Sequence, residues 1–352
     1  MRIFILFFIV IQLFASDINV TDNNISNDIN NSDMLLDLPE LNEENITIQA
    51  NPEINRQSMN IAIILDKNKF FKFIPNILNS INAYMIKKDI DYNITLFNQD
   101  ENLTKELNEI TPKYKYIFTY FTNADQLNVL ENYPKNYFFV PTLNKKQSMI
   151  DSDNIFFGGI DYENQVNTLN QFISGKTFII YDNSNLSKYI TTLVDETLEV
   201  PHVIRKYPVY YSKDFNKTFV YLNTNIVNTA QILANFTYHE IETKSIVTTQ
   251  ISYSPFIFAL TNSDDVQNLI LANSIFNINP VIEDNNLNLG TDIDFNWLNF
   301  TTSTLLNVAY NLETKDTYYY LNDFDLYIYF NQVEYKTNLY RIFQNGFIKI
   351  EN

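Results

Sequence analysis

The sequence predicts a two-lobed α/β protein built on parallel sheets with helices on both faces. Three observations carry that expectation. Short apolar runs alternate with helical stripes from Met59 onward, the alternation starts afresh near Ile155, and 352 residues hold about two domains of ~150. Hydrophobic residues make up 45% of the chain, enough for a sizeable core.

The first lobe, residues 58–160, opens on the mostly apolar run Met59 to Leu65, which suits a strand buried on both faces. Phe73, Ile74, Ile77, Leu78, Ile81, Tyr84 and Met85 then recur at helical spacing, with Pro75 tolerated in a first turn. Tyr92 to Phe97 and Tyr114 to Phe121 read as strands around a short helix, Glu101 to Ile110. A helix over Ala124 to Tyr133 and the apolar run Tyr137 to Val140 complete the lobe.

Ile155 to Ile160 leads into a second lobe, residues 161–285. There a helix over Tyr162 to Ile173 precedes a strand over Lys176 to Tyr181. Leu186, Tyr189, Ile190, Leu193, Val194, Thr197 and Leu198 trace a clean helical stripe. Val203 to Tyr210, Thr218 to Leu222 and Ser245 to Ile251 read as strands, Asn225 to Tyr238 and Asp265 to Ile275 as helices. Residues 286–352 form a return segment, with a long helix over Phe295 to Leu312 and C-terminal strands shared between the lobes.

Ahead of the lobes, Arg2, the apolar run Ile3 to Phe14 and the small residues Ala15 and Ser16 read as a signal peptide over residues 1–16. That run is shorter than the ~20 residues of a membrane span, so no integral span is expected once it is removed. An uncleaved anchor is the alternative. The chain has no cysteine, which excludes disulfides, thiolate sites and a lipoprotein anchor. Export without disulfides fits a bacterial periplasm. Residues 17–57 carry nine acids and one base and read as an acidic, Asn-rich disordered tether. Met34, Leu35, Leu36, Leu38 and Leu41 form an apolar patch within it.

Chemistry is sparse. A net charge of -17 argues against nucleic acid as a partner, because phosphate binding needs clustered bases. Five glycines in the whole chain leave no Gly-rich phosphate cradle. His202 and His239 lie on separate segments without a serine motif beside either. The acidic stretch Glu283 to Asp294 lacks the glycine and terminal glutamate of a calcium loop and reads as an inter-element loop. Tyr318, Tyr319, Tyr320, Phe324, Tyr327, Tyr329 and Phe330 suggest sugar stacking, but alternation makes them a packed strand and AT-rich codons supply tyrosine freely. No catalytic residue, metal or cofactor is assigned.

Three segments carry a family likeness. They are Asn60-Ile61-Ala62-Ile63-Ile64-Leu65-Asp66, then Ile155-Phe156-Phe157-Gly158-Gly159-Ile160, then Lys176-Thr177-Phe178-Ile179-Ile180-Tyr181-Asp182. In order and texture, residues 58–330 resemble the type 1 periplasmic-binding-protein fold. Within it they look most like the branch that includes periplasmic activators of peptidoglycan synthases. The resemblance implies two lobes, three crossovers and a ligand cleft between the carboxyl ends of the strands. Open α/β sheets bind ligands at those ends in any case.

The candidate cleft positions follow the predicted strands. In the first lobe they are Asp66, Lys67, Asn68, Phe70, Phe71, Asn98, Gln99, Thr119, Tyr120, Thr122, Asn123 and Thr142; in the second, Asp182, Asn183, Asn223, Thr224 and Thr249. Asn, Asp and Thr at such places are also ordinary helix caps. The loops depart from amino-acid carriers of this fold, since they contain no glycine and the first bears Phe70 and Phe71. At least one of these rings is expected to point between the lobes. The reading is a non-enzymatic periplasmic recognition protein that binds an envelope protein partner. A periplasmic receptor closing on a small polar ligand is the alternative, and a cell-wall hydrolase a third.

Overall fold

Strands form where the apolar runs predict them. The computed structural model describes residues 47–49, 58–99 and 102–351. The expected signal segment 1–16 and the Met34 to Leu41 patch lie outside the described residues. One sheet has nine strands in the order β1 (Thr47–Gln49), β3 (Asp91–Asn98), β2 (Ser58–Leu65), β4 (Tyr116–Thr119), β5 (Tyr137–Val140), β6 (Ile155–Phe157), β14 (Gln332–Glu334), β13 (Leu326–Tyr329), β12 (Tyr320–Leu321). The other has seven, in the order β16 (Gly346–Lys349), β15 (Asn338–Phe343), β11 (Leu269–Asn273), β10 (Ser245–Thr248), β9 (Phe219–Asn223), β7 (Thr177–Tyr181), β8 (His202–Lys206). Both sheets are parallel inside; the first is antiparallel at both edges and the second only at its β15–β16 edge, β8 pairing parallel with β7, so they are mixed rather than wholly parallel.

Alternation along each strand divides its side chains between two cores. On β2, Ile61, Ile63 and Leu65 pack with Ile77 and Ile81 of α1 (Ile74–Lys88). Ala62 and Ile64 face the other way, toward Leu107 and Ile110 of α2 (Leu103–Ile110). In the second sheet, Ile179 and Tyr221 pack on the side of α3 (Tyr162–Asn170) and α4 (Asn185–Thr197). Phe178, Ile180, Val220 and Leu222 pack against Ile232 and Leu233 of α5 (Ile226–Tyr238). Each buried aliphatic or phenyl side chain contributes ~1.5–3 kcal/mol, so neither face is stable without its helices.

The chain crosses between lobes three times, near residues 158–161, 274–279 and 335–337. α6 (Pro280–Asn288) and α7 (Trp297–Thr314) already belong to the first lobe. Ser80 on α1 donates to Asn286 at 3.1 Å, and Asn79 donates to the Leu289 carbonyl at 2.8 Å. The second crossing therefore precedes the expected boundary at residue 286.

Three further elements differ from expectation. Asp265 to Ile275 is not a helix; its Leu269–Asn273 portion is β11, fully buried between β10 and β15. Val266, Leu269 and Ile270 satisfy helical spacing, but a strand buried on both faces shows the same apolar run. Ala124–Asn132 is a 3-10 helix rather than an α-helix. The expected tether is interrupted by β1, which pairs antiparallel with β3.

Gly158 and Gly159 mark the first crossing because the backbone there has no room for a side chain. A Cβ on Gly159 would lie 2.2 Å from the Leu143 carbonyl carbon, whereas one on Gly175 would meet only the Phe219 ring edge at 3.4 Å. Gly159→Ala is expected to cost ~1–3 kcal/mol and to lower the thermal midpoint by at least ~2 °C, with Gly175→Ala near neutral. Thermal denaturation of the two variants checks this; equal midpoints would mean that the crossing yields.

Candidate functional site

In the first sheet β3 and β4 flank β2, and in the second β8 and β9 flank β7, so the strand order reverses at β2 and at β7. Crevices open beyond the carboxyl ends at such reversals. The first-lobe candidates gather there and are occupied with one another. Asp66 caps the helical turn Lys67–Phe70, accepting from the amides of Asn68 at 3.0 Å and Lys69 at 3.4 Å, and pairs with the Lys69 ammonium at 3.2 Å. Asn98 accepts from the Lys67 amide at 2.9 Å, and the Gln99 amide donates to the Leu65 carbonyl at 2.8 Å. Asn123 caps the 3-10 helix through the Asp125 amide at 3.1 Å, while the amides of Thr122 and Asn123 both donate to Gln126. The Thr142 hydroxyl donates to the Phe121 carbonyl. Thr119 and Tyr120 are buried, and the Tyr120 hydroxyl meets the Thr302 hydroxyl of α7 at 2.9 Å.

Phe70 is 8% exposed and turns into the first lobe, edge-on to Tyr120 at 5.9 Å and to Phe73 at 6.3 Å. Phe71 is 67% exposed. Among the described residues, neither ring has a ring contact with the second lobe.

In the second lobe Asp182 is buried and works as a clamp. One carboxylate oxygen accepts from the Ser184 amide at 3.0 Å, the other from the Asn225 amide at 2.8 Å and the Asn228 side chain at 3.3 Å. Asn183 beside it is exposed. Thr224 shares a hydroxyl contact with Thr229 at 2.7 Å, and Asn223 donates to Thr191 at 3.0 Å. The Asn223 side-chain oxygen and the Thr249 hydroxyl are fully buried and have no partner among the described residues. His202 is tied to Asp195 at 2.8 Å, and His239 stacks on Tyr211 at the end of α5.

The lobes are joined by side chains the sequence reading did not single out. Phe295, on the loop between α6 and α7 in the first lobe, stacks on Tyr253 of the second, with centroids 5.2 Å and planes 24° apart. Tyr253 in turn packs on Phe347 at 4.3 Å and Tyr340 at 5.6 Å, and Phe347 on Phe258 at 4.8 Å. Offset rings at such separations add ~0.5–1.5 kcal/mol per pair beyond the area they bury. Tyr253 follows a strand and Phe347 follows the turn glycine Gly346, but no local pattern pairs either with Phe295.

Acidic groups crowd this clasp. Asp294 precedes Phe295 and hydrogen-bonds Glu283 of α6; burial first, then the Glu283 charge, pushes its carboxyl up to about 7. Asp292 adds to the shift, and the phenols of Tyr253 and Tyr340 lie on the facing lobe. Because the folded value exceeds the usual ~3.9, stability is fully present below that value and is lost as pH rises through about 7. Asp294→Asn is expected to match the parent at pH ~4 and to melt about 2–4 °C higher at pH ~8, the response to ~1 kcal/mol after discounting for partial exposure. Melting curves across that range decide it; an advantage that shrinks toward alkaline pH would contradict the assignment.

No protein-family model matches the chain, and no curated protein matches it in sequence. Solved structures do. LpoA of Haemophilus influenzae superposes with a TM-score of 0.56 at 12% identity over 85% of this chain, which spans only 60% of LpoA. Against the LpoA C-domain alone, a regulator of PBP1A, the match covers 83% of this chain and 100% of that domain, with a TM-score of 0.53 and 11% identity. The branched-chain amino acid substrate-binding protein LivJ of Streptococcus pneumoniae, in complex with isoleucine, covers 84% of this chain and 100% of its own, with a TM-score of 0.56 at 10% identity. A solute-binding protein of Rhodopseudomonas palustris, in complex with 3,4-dihydroxybenzoic acid, gives a TM-score of 0.60 at 9% identity over 83% of this chain and 96% of its own. At these identities the likeness concerns architecture: the chain has the type 1 periplasmic-binding-protein-like fold.

Proposed function

We propose that the chain is a non-enzymatic recognition protein of the bacterial envelope that binds a protein partner rather than carrying a solute. The observation behind this reading is the aromatic clasp. Tyr253, Phe295 and Phe347 fill space between the lobes with the protein's own rings, where a solute receptor keeps its lobes free to close on a ligand. In addition, the polar groups at the first-lobe strand ends serve as caps, and Phe70 covers Tyr120. LpoA, among the structures with this fold, has a C-domain that regulates PBP1A, so a protein-regulating role is compatible with the architecture. No described helix is long and apolar enough to cross a membrane. A periplasmic location rests on the Arg2 to Ser16 pattern and on the absence of cysteine.

A receptor for a small polar ligand is the second reading. It is favoured by the unpartnered Asn223 oxygen and Thr249 hydroxyl at the ends of the adjacent strands β9 and β10, since a buried polar group left unpaired costs ~1–3 kcal/mol. A thermal-shift screen of amino acids, short peptides and small sugars separates the two. A ligand at 100 times its Kd adds ~2.7 kcal/mol. The recognition reading expects no shift from any of them; a clear shift puts the solute receptor first.

A further inference from the structure

Alternation along β13 leaves one face of the first sheet bare. Leu326 and Ile328 turn inward with Leu321 of β12 and Val333 of β14, into the core that holds Phe300 and Leu305 of α7. Tyr327 and Tyr329 turn outward and are 63% and 64% exposed. Strand pairing sets Tyr320 and Glu334 on either side of Tyr327, on the same face. Tyr320 and Tyr327 pack with ring centroids 4.9 Å apart. Gln332, opposite Tyr329, is also opposite Phe157 of β6, so this is the side of the sheet that α2 packs against over β2. Phe330 continues the row into the turn with a φ of 46°, in the left-handed region where glycine or asparagine is usual, and its ring is 70% exposed.

Two hollows flank these rings. One, of about 380 Å3, lies beside Tyr329 and Phe330 and is lined by Lys145, Lys146, Asp151 and Asp161. The other, of about 280 Å3, lies beside Tyr327 and is lined by Asp325, Lys336 and Lys349. Glu334 lines both, so they form one trough across the rings, with four lysines against four carboxylates. Among the described residues the hydroxyls of Tyr327 and Tyr329 have no hydrogen bond, and Lys336 and Lys349 have no ion pair. Flat apolar faces, free polar groups and balanced charge suit pyranose rings, whose C–H faces lie on aromatic rings while their hydroxyls take hydrogen bonds. An anionic lipid surface needs clustered bases, which the carboxylates here cancel. Tyr327 and Tyr329 lie two residues apart on one strand, ~6.5–7 Å, so the platform meets successive sugars of a chain rather than a single ring.

We propose that this trough binds an extended chain of β-linked pyranose sugars, at a site separate from the cleft between the lobes. Isothermal titration calorimetry of the full chain with the hexamers of N-acetylglucosamine and of glucose, and with the two free sugars, tests it. At least one hexamer should bind, whereas the free sugars, which cover a single ring, should not register. Tyr327→Ala with Tyr329→Ala should weaken the hexamer about tenfold or more, since two stacked rings are lost. Tyr327→Phe with Tyr329→Phe keeps the rings and should bind more like the parent than like the alanine variant. Thermal midpoints verify that both variants are folded. No binding of either hexamer overturns the proposal, as do free sugars that bind equally well. A hexamer that binds the alanine variant as tightly as the parent also overturns it, because the sugar then occupies another site such as the cleft. So does a doubled mass in sedimentation that is lost in the alanine variant, which assigns the face to a second copy. Failure here leaves the reading of the cleft untouched, because these rings lie outside it.

Discussion

The first and third passages between the lobes meet where the backbone of residues 158–159 presses against its neighbours, and the placing of the two sheets depends on that contact. Tyr335 on the third passage donates to the Gly158 carbonyl at 2.8 Å. Gln332 and Asn144 converge on the Gly159 carbonyl at 3.2 and 3.0 Å. Across the same junction Lys146 pairs with Asp161 at 2.9 Å and Glu163 at 3.0 Å. A side chain at this crossing would push the passages apart, and the strand ends would no longer face one another. Two of the chain's five glycines are spent here.

With the lobes so placed, the carboxyl ends of their strands frame the usual location for a ligand in this kind of sheet. Buried hydroxyls and amides in the second lobe tie loops together: Gln165 of α3 bonds Gln250 at 2.6 Å and Ser274 at 2.9 Å, linking a helix to the loops after β10 and β11. Such a network rigidifies the rim of the cleft. The clasp then joins the first lobe to the second through the stacked rings of Phe295 and Tyr253.

Much of the architecture was legible because its signals are local. Met59 to Leu65 and Lys176 to Tyr181 are apolar runs bounded by polar residues, and α4 follows the stripe from Leu186 to Leu198. β11 reads as a helix in the sequence because Val266, Leu269 and Ile270 fall at helical spacing, and over so short an apolar run periodicity does not separate a buried strand from a helix. The strand-end positions were legible as a set, but Asp66, Asn98 and Asn123 could not be resolved between capping and binding, since the same side-chain oxygens serve both. Phe70 and Phe71 drew attention as aromatics in a cleft loop; the rings that join the lobes are Tyr253, Phe295 and Phe347, brought together only by tertiary folding.

The central claim is that the lobes are fastened to each other by those rings. A chain without cysteine allows spin labels to be placed singly at K105C on α2 of the first lobe and K188C on α4 of the second, both exposed helical positions. Pulsed electron–electron resonance then reads the distance between lobes directly. One narrow population in the unliganded protein, broadened by Phe295→Ala, is the result the account predicts. Two populations, or a broad distribution already present in the parent chain, would show lobes that open and close freely and would contradict it.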